Sequence, residues 1–221
     1  MMKSLRRSRD LGIGGAMARW YDKNTRQHRL EEMKGYAKEV ASHVKDGASI
    51  LEVAPGPGYL SIELAKTGKY RVTGMDISRD FVEIARKNAR EAGAKVEFVQ
   101  GNVSEMPFLE STFDFIVCSA AFKNFKEPLK ALEEMYRVLK AGGAVLILDM
   151  NREVSNNALA KATAEMGVKG LEALFMNFSF KYFLKRGAYT KNEFNDLISR
   201  TNFKAHDVKE YGIGLYVYMQ K

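Results

Sequence analysis

Glu52, Gly56, Gly58 and Asp76 are the residues whose types and spacing point most directly to chemistry. The first three lie in Ser49–Leu60, SILEVAPGPGYL, where an apolar run with one acid breaks into prolines and glycines and then resumes as SIELAK. Two glycines let the backbone approach a ligand closely, because no Cβ stands in the way. Glu52, near the end of the run, is placed for an ammonium or a hydroxyl. Asp76 follows Glu52 by 24 residues, in GMDIS. A carboxylate at the end of a second strand suits the two vicinal hydroxyls of a ribose. Taken singly, the glycines are turn residues and Asp76 caps the next helix; taken together they describe a nucleoside site.

Two nucleotide classes fit this loop poorly. It lacks the lysine and hydroxyl residue of a P-loop. A dinucleotide turn would need Ala54, Gly56 and Ser61 to stand in for three glycines, and Pro55 and Pro57 delete amide donors from the loop.

Elements of alternating period must position these residues. Residues 16–46 carry Met33, Tyr36, Ala37, Val40 and Val44 on one helical face. Then ASILEVA, YRVTGMD, KVEFVQG, FDFIVCS and AVLILDM read as strands one to five. Helices between them include YLSIELAKTG, closed by Gly68, and SRDFVEIARKNAREAG, with Ser78 as N-cap and Gly93 as stop. LKALEEMYRVLKAGG reads as a helix ending in a glycine pair. Near-continuous apolar strands alternating with helices predict a doubly wound, mostly parallel sheet. After residue 151 the segment to Gly187 is helical and aromatic-rich. Thr190 and Glu193 form a capping box for the last helix, and AHDVKEY and GLYVYMQ form a terminal antiparallel hairpin.

The bulk numbers bound the partners. The chain has 221 residues, 46% hydrophobic and 28% charged, as one domain with an ordinary core requires. No apolar run reaches the length of a membrane span. A single cysteine, Cys118, excludes a disulfide framework and fits a cytoplasmic setting. The net charge of +8 divides as +6 over residues 1–45, −2 over 46–150 and +4 over 151–221. Solvated helix faces account for such an excess; an anionic acceptor, lipid surface or nucleic acid is the other reading. No aromatics alternate with the basic residues, which argues against a nucleic-acid partner.

LEVAPGPG, GMDIS, GNVSEMPF, FDFIVCSAAFKNF and EMYRVLKAGG, in that order and spacing, resemble class I S-adenosylmethionine-dependent methyltransferases. Within them the chain is similar to the group of quinone-biosynthesis C-methyltransferases and small-molecule methyltransferases. The resemblance covers residues 20–150 and implies a seven-stranded Rossmann-like sheet with S-adenosyl-L-methionine as cofactor. It also implies an N-terminal helical cap over residues 1–46, a cofactor-binding core over 47–150, a helical acceptor-pocket insertion over 151–188, and the last helix and hairpin over 189–221. By the same resemblance, Glu52 serves the methionine end of the cofactor and Gly56 and Gly58 lie beneath it. Asp76 holds the ribose, Ile77 meets the adenine, and Asn102 and Val103 serve the adenine edge. Ser119 and Ala120 face the methionine and sulfonium, and Tyr21 covers that side or staples its helix. Three departures stand out: Ala54 occupies a usual glycine position, Pro55 and Pro57 stiffen the loop, and Asn102 replaces an acid.

Methyl transfer by direct displacement needs alignment and exclusion of water, and a base only where the nucleophile carries a proton. Asp149 and His28 are the candidate catalytic residues; Asp149 otherwise caps or orients, and His43 and His206 read as surface or strand histidines. No metal is implied. Cys118-Ser119-Ala120-Ala121-Phe122 lacks the Asn/Asp-Pro-Pro-aromatic pattern of base-amine methylases, and lone Cys118 is a small packing residue. The expected partner is a small apolar or aromatic acceptor, with residues 174–183 either lining its pocket, packing the core or joining a homodimer. An anionic lipid or RNA acceptor, and a non-catalytic sensor of the cofactor, are the alternatives.

Overall fold

The computed structural model describes residues 12–165 and 185–221. Seven strands form one sheet: β1 (Ser49–Val53), β2 (Arg71–Asp76), β3 (Val96–Gln100), β4 (Phe113–Ser119), β5 (Leu139–Met150), β6 (Ala205–Tyr211) and β7 (Gly214–Gln220). Their order is β3-β2-β1-β4-β5-β7-β6. The first five run parallel, and β7 is antiparallel to both β5 and β6. The expected doubly wound sheet with its terminal hairpin is thus the observed one.

Helices cover both faces because the strands are apolar on both. β1 buries four successive residues, and the last eight of β5 are all buried. On one face α1 (Gly15–His43) and α2 (Tyr59–Lys66) pack Met33, Val40, Leu60 and Leu64 against Ile50, Phe115 and Leu146. α3 (Arg79–Glu91) joins them through Val82, Ala85 and Ala89 against Ile62 and Phe98. On the other face α4 (Pro128–Val138) and the last helix bury Leu132, Met135, Phe194 and Ile198 against Ile116 and Val217. α5 (Asn156–Glu165) follows β5, and the last helix, α6, spans Lys191–Ser199. The strand order reverses between β1 and β4, so the connections leaving those two strands part to opposite faces. A crevice must open there, at the carboxyl edge.

Local chemistry sets the helix ends as the sequence implied. The Ser78 hydroxyl accepts from the Phe81 amide at 3.2 Å, and Thr190 and Glu193 form the reciprocal capping box. The glycine pair Gly142-Gly143 departs from expectation. α4 ends at Val138, and the pair lies inside the early part of β5, beside a register irregularity opposite Phe113 and Phe115. A Cβ on Gly143 would stand 2.8 Å from the Asp114 carbonyl oxygen, so close strand approach, rather than helix termination, requires glycine there. The aromatic run 174–183 lies outside the described residues.

Candidate active site

The turn after β1 builds the floor of the crevice. Ala54 leaves the strand with φ of 56°, and its amide donates to the Met75 carbonyl at 2.8 Å, keeping the turn level with the end of β2. Gly56 has φ of 54° and nothing within 4 Å of where a Cβ would stand, so its open face is available to a ligand. Gly58 does something else. With φ of 83° it starts α2, and a Cβ there would lie 2.7 Å from Phe98 Cζ and 2.9 Å from Ala85 Cβ. Gly58 therefore seats α2 against α3 and β3.

Asp76 ties this turn to the next. Its Oδ2 accepts the Gly56 amide at 3.0 Å and its Oδ1 the Ser78 amide at 2.8 Å. Burial raises its pKa, against the pull of the Ser78 and Gly56 amides. A carboxylate has about four acceptor sites. The Gly56, Ser78 and Ile77 amides engage it from within, which leaves part of that capacity for a ligand hydroxyl. Ile77, Asn102 and Val103 line the cleft beside it. The Asn102 Oδ1 accepts the Ser104 amide at 2.9 Å, which turns the chain after β3.

Glu52 is more enclosed than an acid offered to a ligand would be. It is buried, and its Oε2 accepts both the amide (2.8 Å) and the hydroxyl (2.5 Å) of Ser61 from the first turn of α2. Burial raises its pKa to about 7, opposed by the Ser61 bonds and Arg29 and assisted by Asp76. Near neutrality this carboxyl is poised between its two forms.

At the end of β4, Ser119 and Ala120 line the opposite wall, Ala120 again with φ of 56°. Non-glycine residues rarely adopt that conformation; two of them, on adjacent strands and facing one cleft, mark it as a functional edge. Behind Ala120 lies a residue that carried no expectation. Lys123 donates from Nζ to Asp149 Oδ1 at 2.8 Å and to the Ala120 carbonyl at 2.5 Å, while its amide donates to Asp149 Oδ2 at 2.8 Å. The Met150 amide gives Asp149 Oδ1 a further donor at 2.7 Å. Asp149, the candidate base, lines the cleft with an ammonium and two amides on its carboxylate. These bonds hold the β4 and β5 ends together. The one sequence signal for Lys123 was a lone cation between Phe122 and Phe125, both buried.

α1 borders the cleft on the side of the glycine turn. Tyr21 lines the cleft and packs edge-on against Phe81, with ring centroids 5.9 Å apart. Beside it Asp22 Oδ1 accepts from the Tyr59 hydroxyl at 2.6 Å and from Asn88 Nδ2 at 3.1 Å. Asn88 also donates to the Pro57 carbonyl at 3.0 Å and accepts from Arg26 at 2.6 Å. One polar network thus joins α1 to the glycine turn. His28 lies on α1, but its side chain is outside the described residues. His43 is exposed on α1, with its ring stacked on Phe115 and hydrogen-bonded to Tyr216 and Glu39. Cys118 is fully buried, and burial pushes its thiol pKa up, as befits a packing residue.

The cleft so built has a volume of about 1940 Å³, more than one drug-sized ligand needs. From the glycine turn it extends past Ala120 to Tyr36, Leu148, Met150 and Ile213. It has room for a nucleoside cofactor and a second molecule.

Residues 51–147 match the model of a methyltransferase domain family. This match, over 97 of the 221 residues, agrees with the sheet order and the carboxyl-edge cleft, which are those of the class I S-adenosylmethionine-dependent methyltransferase fold. Among curated relatives, the ubiquinone/menaquinone biosynthesis C-methyltransferase UbiE of Escherichia fergusonii is 37% identical over 119 residues, 51% of this chain and 47% of that protein. The demethylmenaquinone methyltransferase of Bacillus velezensis is 35% identical over 113 residues, 50% of this chain and 48% of that protein. The chain therefore spans about half the length of the curated relatives it matches. Among solved structures, a putative S-adenosyl-L-methionine-dependent methyltransferase from Methanococcus maripaludis superposes with a TM-score of 0.77 at 23% identity, over 92% of this chain and 91% of that one. The plantazolicin methyltransferase BpumL, solved with S-adenosylhomocysteine, gives 0.67 at 16% identity over 92% and 88%. These two likenesses concern the fold.

Proposed function

We propose that this chain methylates a small, ring-bearing acceptor with S-adenosyl-L-methionine as donor. The observation that carries the reading is Asp76: a buried carboxylate fixed by the Gly56 and Ser78 amides, with acceptor capacity left on the cleft side. That suits a ribose diol. Gly56 leaves the open cradle beside it, and Glu52, Ser119 and Ala120 serve the methionine end. Asn102 and Val103 take the adenine edge, with Ile77 against the ring and Tyr21 above.

When bound, the cofactor supplies a methyl group already made electrophilic by its sulfonium. The chain's own residues then need to align and to dehydrate. Lys123 and Asp149 hold the Ala120 carbonyl and the wall it belongs to. Tyr21 and the Asp22 network keep the roof down over the glycine turn. Relatives named for methylating quinone precursors make a hydroxylated aromatic ring the first acceptor class to test. The apolar lining at Leu148, Met150 and Ile213 suits such a ring. An activity in the cytoplasm and a cap-core-insertion division of the chain are part of the same proposal.

The test is calorimetric titration with S-adenosylmethionine, S-adenosylhomocysteine and NAD in parallel, with Asp76→Ala as control. Micromolar binding of the first two, lost in the variant, is expected. Binding of NAD alone, or of none of the three, would overturn the assignment. Transfer of labelled methyl to demethylated hydroquinones then tests the acceptor class separately.

A further inference from the structure

The start of α1 presents an apolar group to solvent. Met17 and Trp20 stand one turn apart, 60% and 55% exposed, and Ile13 precedes them at 45%. Elsewhere among the described residues, large exposed apolar side chains occur singly, at Leu109 and Tyr211, as is normal for a surface. A group of three is different. Around the helix from Met17 and Trp20, one flank carries exposed Arg19 and Lys23, and the other carries Tyr21 and Thr25, which line the cleft. Ile13 also lines the cleft, held there by its carbonyl accepting from Ser78 Oγ at 2.6 Å.

Charge in the sequence around this face, with Arg19 and Lys23 exposed beside it, points to what it would meet. Residues 1–23 contain six basic side chains and two acidic ones. A second copy of the same face would bring like charges together, which costs free energy. An anionic lipid surface supplies both complements: phosphates for the cations and an acyl boundary for Met17 and Trp20. Tryptophan in particular suits the boundary between headgroup and acyl chain, having an apolar body and a polar N–H. Among the described residues no helix is long and apolar enough to cross a membrane, so this contact lies on the bilayer.

We infer that the N-terminal face of α1 (Ile13, Met17, Trp20, Arg19, Lys23) docks the protein on an anionic bilayer and sets the cleft mouth at the lipid surface. This placement rests on surface chemistry and holds whatever the acceptor is. It gives an acceptor dissolved in lipid a path to the cleft that avoids water.

Trp20 is the one tryptophan in the chain, so its fluorescence reports this face alone. The full chain is titrated with phosphatidylcholine vesicles with and without about 30% phosphatidylglycerol. The expected result with anionic vesicles is a blue shift of the emission, quenching by lipids brominated on the acyl chain, and reversal by about 0.5 M salt. Arg19→Glu/Lys23→Glu, which keeps Trp20, is expected to weaken binding about tenfold or more, and Met17→Ser to weaken it while sparing the salt dependence. The salt titration of the unaltered chain reads the same electrostatic contribution without any substitution. Three results would overturn the inference: no shift with anionic vesicles, an equal shift with neutral ones, or a shift that grows with protein concentration in the absence of lipid. The last would assign the face to a second copy.

Discussion

Lys123 and Asp149 form an ion pair sealed inside the carboxyl edge of the sheet, 2.8 Å from ammonium to carboxylate, with side chains 5% and 2% exposed. The same lysine reaches the Ala120 carbonyl, and the same aspartate accepts the Lys123 and Met150 amides. The pair therefore fixes the 3₁₀ turn that follows β4, Phe122–Asn124, to the end of β5. These are the two strands whose ends form the far wall of the cleft.

Breaking that pair from one side leaves a charge buried without its partner. Lys123→Met and Asp149→Leu should each lower stability by about 3–5 kcal/mol. The double substitution should recover much of that loss, since apolar replacements remove both charges. Urea unfolding of the three variants measures this, and additive losses in the double variant would contradict the pairing.

The Glu52 carboxyl gives the cleft a pH dependence. Its folded pKa of about 7 lies above the ordinary value of 4.5 because it is buried. Its stabilising contribution is therefore complete below about pH 4.5 and is lost as pH rises through 7. A cofactor ammonium placed near it would favour the ionised form. Affinity for S-adenosylhomocysteine should thus rise about fivefold from pH 6 to pH 7 and flatten above pH 8. Glu52→Gln should bind more weakly with that rise removed, as titrations across this range would show.

Gly56 and Gly58 should part company when each is changed to alanine. At Gly58 the new Cβ collides with Phe98 and Ala85 and the backbone is left-handed. A loss of about 2–4 kcal/mol in stability is expected from overpacking and strain together. At Gly56 space is open, so the loss in stability is about 1 kcal/mol. The main effect falls on cofactor affinity. Thermal melts with and without S-adenosylhomocysteine separate the two.

Ala54 stores strain that glycine would release. Its φ of 56° costs an L-residue roughly 1–2 kcal/mol, partly offset by the greater freedom of glycine in the unfolded chain. Ala54→Gly should raise stability by about 0.5–1 kcal/mol. A drop in stability on chemical unfolding would show that the alanine methyl is needed for packing.

Much of this arrangement was legible from residue types. The alternation of apolar strands with helices, the glycine turn and the acid at the end of β2 place the cleft, and the Ser78 and Thr190 caps fall where expected. What the sequence did not disclose was long-range pairing. Lys123 lies 26 residues from Asp149, and Asp22 lies 66 from Asn88, so no local pattern joins them. The role of Gly58 depends on Phe98, which meets it only after β3 has added to the sheet. The Gly142-Gly143 pair looked like a helix stop because both uses of glycine read alike in one dimension. His43, read as a surface or strand residue, is exposed on α1; what stayed hidden is that its ring meets Phe115 and Tyr216, which come from distant strands.

The Asp22 carboxylate is shared between roof and floor: it accepts from Tyr59 on α2 and Asn88 on α3, and Asn88 in turn grips the Pro57 carbonyl. Lifting α1 means parting these bonds together rather than one after another. A molecule held under α1 would then leave at a rate set at this junction, away from the atoms that would react. Asp22→Ala should shorten that time more than it slows entry, making the junction a governor of turnover frequency.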